Sequence, residues 1–164
     1  MGMKKLILVR HGKSSWEYNV SDKDRTLLER GIKDAHLVAN ELKSQKKDIN
    51  AVFSSPANRA LHTCLIFLRE LNFPFHKFSV VSELYDFSGQ AVIDFVNGLD
   101  NELNTVMIFG HNHALTAIAN YWGDNRIENV PTAGLVELSF TVSKWAEIVG
   151  GTTANIIFPK NLRE

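Results

Sequence analysis

Six side chains of this sequence are of the kinds that handle phosphoryl groups. Arg10 and His11 close the run "LILVRHG", Arg59 lies in "SSPANRALHT", His111 follows "TVMIFG", and the carboxyls Glu83 and Asp86 frame "ELYD". A guanidinium can grip a phosphoryl group through two parallel N–H bonds. A neutral imidazole can attack phosphorus as a nucleophile. A second imidazole, protonated, can share the charge on the equatorial oxygens. A carboxyl group can protonate the leaving group and then activate water. Gly12 suits a tight turn where backbone must approach a ligand. Ser54-Ser55-Pro56, ahead of a helix from Ala57, leaves N–H groups that favour a nearby anion. An Arg-His pair alone is also what a solvated turn contains. The recurrence is what carries weight.

The elements that must position these residues alternate along the chain. Residues 4–9, 50–54 and 105–109 are short, continuous and apolar, as strands buried on both faces of a parallel sheet are; 78–81 is a weaker fourth. Between them run helical patterns. Leu37, Val38 and Leu42 share a stripe of 29–45, and Leu61, Leu65 and Leu68 share one of 57–71. Shorter helices are predicted over 90–99 and 114–122. The segment "GLVELSFTV" alternates like an antiparallel or edge strand, with 154–158 available to pair with it. This order predicts a three-layer α/β/α domain spanning 1–164, with a mostly parallel central sheet and an antiparallel edge. In such sheets ligands gather at the carboxyl ends of the strands. Arg10, His11, Gly12, Arg59, Glu83, Asp86 and His111 should therefore meet on one rim.

In this order, "LVRHGKSSW", "VFSSPANRALHT", "ELYD" and "MIFGHNHAL" resemble the histidine phosphatase superfamily, of phosphoglycerate mutase-like fold, and most of all its small SixA-type phosphohistidine phosphatases. The resemblance runs from Lys4 to about Leu138. It implies His11 as the nucleophile that becomes phosphohistidine, Arg10 and Arg59 as phosphate-gripping arginines, and His111 as the second histidine of the pocket. The family's proton donor often lies in a Leu-x-Glu context; Asp86 occupies that slot here, with Glu83 as its rival. His113 stands where the family usually has proline, and Leu28 where a helix-capping Thr is common. Only about twenty residues separate "ELYD" from "TVMIF", room for one short helix and no roof over the pocket. An open groove suits a phosphorylated protein side chain. Phosphohistidine fits best, because an imidazole leaving group has a conjugate-acid pKa near 6.5 and needs little acid assistance.

Composition removes other classes. Lys+Arg and Asp+Glu balance at 18 each, so no overall field draws nucleic acid or an acidic membrane. No apolar stretch approaches the roughly 20 residues of a membrane span. "MGMKK" runs straight into a strand, with no signal peptide read, and a single Cys64 excludes an internal disulfide; a cytoplasmic location and a packing role for Cys64 are expected. His111 and His113 are two apart, as some metal ligands are, but Leu115 stands where a binuclear site would continue with Asp. No metal and no cofactor is expected. The expected substrate is a phosphorylated side chain or a small phosphorylated molecule, with inorganic phosphate as product. Two alternatives stand beside it: a small-metabolite phosphatase or mutase, and a phosphate- or phosphoprotein-binding module without turnover.

Overall fold

The structure is a computed structural model and describes residues 2–163. Six strands form one sheet: β1 (Lys4–Arg10), β2 (Ala51–Ser54), β3 (Phe78–Val80), β4 (Thr105–Gly110), β5 (Leu135–Phe140) and β6 (Thr152–Ile157), in the order β3-β2-β4-β1-β5-β6. β1, β2, β3 and β4 are mutually parallel, while β5 runs antiparallel to β1 and β6 antiparallel to β5. Four helices cover the sheet: α1 (Glu29–Ser44), α2 (Asn58–Glu70), α3 (Gln90–Asn97) and α4 (Ala114–Trp122).

The period-two geometry of β1 divides the core. Leu6 and Leu8 pack with Val92 and Val96 of α3 and Leu115 and Ile118 of α4. Ile7 and Val9 point the other way, into a cluster with Val38 and Leu42 of α1 and Cys64 and Phe67 of α2. The result is the α/β/α sandwich that the alternation predicted. "GLVELSFTV" does supply an antiparallel strand, but β5 is internal rather than an edge. β6 covers it, and even Glu137 is buried there, opposite Lys47 at 3.3 Å.

Register lines the strand ends up. Arg10 sits opposite Gly110, and Ser54 opposite both Phe109 and Val80. A fifth connection, absent from the sequence-based expectation, reaches the same rim. The turn before β5 carries Ala133 at φ 61°, whose N–H bonds the His11 carbonyl at 2.9 Å, while Gly134 O accepts the Arg10 N–H at 3.0 Å.

Leu28 occupies the N-cap of α1 without a side-chain bond, as expected from the missing Thr. Cys64 is buried, and burial pushes its thiol pKa well up, consistent with packing. No helix among the described residues is long and apolar enough to cross a membrane.

Candidate active site

His11 follows β1 directly and is 8% exposed. Its Nδ1 lies 2.7 Å from the Gly12 carbonyl, an acceptor only, so Nδ1 carries the hydrogen and Nε2 keeps a lone pair. Burial pushes its pKa down to about 3, and the nearby His111, Arg59 and Arg10 add to the effect against the Gly12 bond. The ring is neutral at physiological pH, as a nucleophile must be. The turn behind it is locked: Thr63 Oγ1 accepts the Gly12 N–H at 2.9 Å and donates to the Arg59 carbonyl at 2.7 Å. One α2 threonine thus ties the His11 turn to the residue carrying the second guanidinium.

His111 follows β4, with its ring centroid 5.3 Å from that of His11. Ser55 Oγ accepts the Ala57 N–H at 3.2 Å and lies 2.8 Å from His111 Nε2. In the tautomer where Ser55 donates to Nε2, the imidazole hydrogen lies on Nδ1. That nitrogen is buried and has no partner among the described residues. Burial first, then Arg59, pushes the His111 pKa down to about 4. Desolvation beside two guanidiniums favours the neutral imidazole in the protein alone, and the expected protonated form would need the charge of a bound phosphoryl group to work against that shift. Tyr85 and Phe87 wall it, with ring centroids 5.4 and 5.0 Å away.

Both arginines reach this place. Arg10 donates from Nη1 to the Val130 carbonyl at 3.0 Å, and Arg59 is tied to Asp22. The Nε of each is buried without a partner among the described residues. Three buried nitrogens with no partner among the described residues, on Arg10, Arg59 and His111, thus belong to side chains close to a neutral imidazole. Unsatisfied buried donors are costly unless an acceptor arrives to meet them. An oxyanion does so.

The two carboxyls fare differently. Asp86 Oδ2 accepts the N–H groups of Gly89 and Val92 at 3.0 and 3.2 Å, and Oδ1 accepts the N–H and Oγ of Ser88. Burial would raise its pKa, but these bonds from the chain entering α3 outweigh it and hold the group below its ordinary range. These bonds make Asp86 an acceptor at the start of α3, which works against the expected role of ready proton donor. Glu83 is exposed and accepts a bond from Ser82 Oγ at 2.9 Å.

Remaining expectations resolve simply. His113 caps α4 with its backbone carbonyl and is exposed. Trp122 and Trp145 are core, whereas Trp16 is 79% exposed with the Arg25 guanidinium 3.3 Å above its ring. Among the described residues no group of three or more His, Cys, Asp or Glu is placed to hold a metal ion. Asp22, Thr63 and the Val130 carbonyl had no assigned role in the sequence. Thr63 alone left a trace there, as the threonine of "NRALHT" one turn beyond Arg59.

Residues 6–92 match the histidine phosphatase superfamily (branch 1). The chain belongs to that superfamily. An uncharacterized protein of Mycobacterium tuberculosis is 28% identical over 160 residues, covering 92% of this chain and 98% of the relative. A phosphoglycerate mutase of Schizosaccharomyces pombe is 42% identical over 72 residues, which is 42% of this chain and 34% of the mutase. Among solved structures, the protein histidine phosphatase SixA complexed with tungstate superposes with a TM-score of 0.80 at 26% identity, covering 97% of this chain and 99% of that one. A phosphoglycerate mutase from Bacillus anthracis shares the fold at a TM-score of 0.69 and 14% identity, covering 98% and 96%. A phosphatase of phosphoglycerate mutase-like fold is the activity these likenesses support.

Proposed function

We propose that this chain, as one catalytic domain, is a metal-independent, cytoplasmic phosphohistidine phosphatase working through a covalent phosphohistidine on His11. The observation that carries the reading is the set of buried, unpartnered nitrogens on Arg10, Arg59 and His111, side chains close to a neutral His11. The His11 Nε2 lone pair forms a bond to phosphorus as the bond to the leaving nitrogen breaks, the substrate imidazole carrying a proton on its other nitrogen so that it departs neutral. The Nδ1–H, donated to Gly12, steadies the imidazolium that results on His11. Arg10, Arg59 and the His111 Nδ1–H stabilise the transferring oxygens, supplying by side chain the positive potential a metal would otherwise bring. Water then attacks the phosphohistidine, releasing inorganic phosphate and restoring the neutral ring.

The choice of phosphohistidine rests on the carboxyls. Asp22 and Asp86 are both held below the usual carboxylate range, which suits a leaving group that departs with little acid help. An imidazole does; an alcohol does not. The SixA likeness, including that protein's complex with tungstate, a tetrahedral oxyanion, supports the same substrate class. Turnover of a small phosphorylated metabolite is the second reading, favoured by the partial match to a phosphoglycerate mutase.

His11→Ala should abolish turnover of a phosphohistidine protein while phosphate still binds. Alkali-quenched wild type should carry acid-labile label on His11. Retained activity in His11→Ala rejects the mechanism. Faster turnover of phosphoglycerate or a sugar phosphate than of phosphohistidine transfers the assignment to the second reading.

A further inference from the structure

Arg10 and Arg59 are held alike by unlike partners. Each is tied at its Nη end and presents a buried Nε. For Arg10 the tie is a neutral carbonyl, Val130 O. For Arg59 it is Asp22, which accepts twice: its backbone carbonyl from Nη1 at 2.6 Å and its Oδ2 from Nη2 at 2.8 Å. The Tyr85 hydroxyl donates to the same Oδ2, and Arg25 Nη1 to Oδ1 at 3.2 Å. The Arg59 side chain is 3% exposed and that of Asp22 40%, so the carboxylate is the solvent-exposed partner of a buried guanidinium. Burial works to raise its pKa, but the bonds from Tyr85 and Arg59 prevail and keep it ionised.

We propose that Asp22 is a specificity-determining residue, whose fixed negative charge at the pocket mouth selects phosphoryl substrates with a neutral or cationic leaving group, such as imidazole, over those with a carboxylate near phosphorus. The proposal deepens the reading of the site as a phosphoryl-transfer centre and rests on it. A phosphoryl group bound by Arg59 has Asp22 beside it, because the two residues share two hydrogen bonds and the carboxylate is the exposed partner. A neutral tie, like the one on Arg10, would fix Arg59 equally well. A carboxylate there withdraws part of the Arg59 charge from the phosphoryl group, and discrimination is the return. Two like charges a few ångströms apart in a partly screened site repel by an amount worth on the order of tenfold in affinity. An N–H or an imidazolium is attracted instead, and Oδ1, which accepts only the Arg25 bond among the described residues, has capacity for it.

Propylphosphonate and 3-phosphonopropionate test this, because they differ by one terminal carboxylate and neither can be hydrolysed. Calorimetry on the whole protein at low salt should find 3-phosphonopropionate about tenfold weaker. Asp22→Asn keeps an acceptor for Arg59 but loses the charge, and should close the gap to about twofold. In the wild type, raising salt from about 20 mM to about 0.5 M should narrow it as well. Equal wild-type affinities, a gap unmoved by salt, or a gap that survives Asp22→Asn with propylphosphonate still bound would each overturn the proposal. Should Asp22→Asn not fold, the salt titration decides by itself. Failure of the phosphatase reading looks different: propylphosphonate binds and the gap behaves as stated, yet no phosphorylated compound is turned over. Binding of neither phosphonate removes both.

Discussion

His11 and Asp86 show how a single side chain's partners decide its chemistry. The Nδ1 bond to Gly12 leaves His11 one free lone pair, on Nε2. Asp86 keeps no such freedom, because the donors entering α3 claim both its oxygens. Asp86→Asn should leave kcat/KM for a phosphohistidine protein within about threefold, since a carboxylate bonded to the N–H groups at the start of α3 has little proton to give; Glu83→Gln tests its rival in the same assay. A loss of a hundredfold or more in either variant would restore that residue as the acid. Asp86→Ala should instead act on stability, lowering it by about 1–2 kcal/mol in urea titration, as loss of a helix cap does. The sequence made His11, Arg10, Arg59 and His111 legible because each follows a strand whose apolar run is unmistakable. Asp22 was not legible. It lies in "VSDKDRT", a charged stretch that reads as a solvated loop, and its contacts to Arg59 and Tyr85 arise only when residues far apart in sequence come together. The role of Asp86 did leave a local signal, since an Asp followed by Ser-Gly and then a helix is how a capped start is written.

At the scale of elements, the site depends on how closely α1 approaches the nucleophile turn. A Cβ on Gly12 would meet the Gly31 carbonyl oxygen at 2.7 Å, and one on Gly31 would collide with the backbone oxygen of Lys13. Gly31 is thus the place where a helix and the His11 loop touch backbone to backbone. Gly31→Ala should cost about 1–3 kcal/mol, as overpacking does, and should also lower kcat, because relief of the clash moves the Gly12–Lys13 turn. Denaturation midpoints and single-turnover rates measure the two effects. Unchanged values of both would mean that the contact is soft. The helices themselves were readable from their apolar stripes. The internal position of β5 was less so, because alternation distinguishes one buried face from two only when the second face is apolar, and Glu137 interrupts it.

For the molecule as a whole, two buried neutral histidines link the site to acid stability. With folded pKa values pushed down to about 3 for His11 and about 4 for His111, the unfolded chain takes up protons below about pH 6.5 that the native state refuses. Stability should therefore fall as pH drops from about 6.5 towards 4, at up to about 1.4 kcal/mol per pH unit for each histidine. Asp22 and Asp86, whose pKa values are depressed, lose their contribution only at lower pH, below the unfolded carboxylate range, so the histidines dominate this window. His111→Asn should flatten the slope in urea titrations at pH 6.5, 5.5 and 4.5; an unchanged slope would show that His111 is charged in the native state.

The order of the sheet also bears on synthesis. Of the six strands of this sheet, β1 is made first and lies between β4 and β5, so its permanent neighbours are made some hundred residues later. Until then its apolar flanks have no native strand to pair with, and His11 at its tip cannot meet His111. A chain stalled before β4 and His111 are made should hence lack the assembled site and need chaperoning.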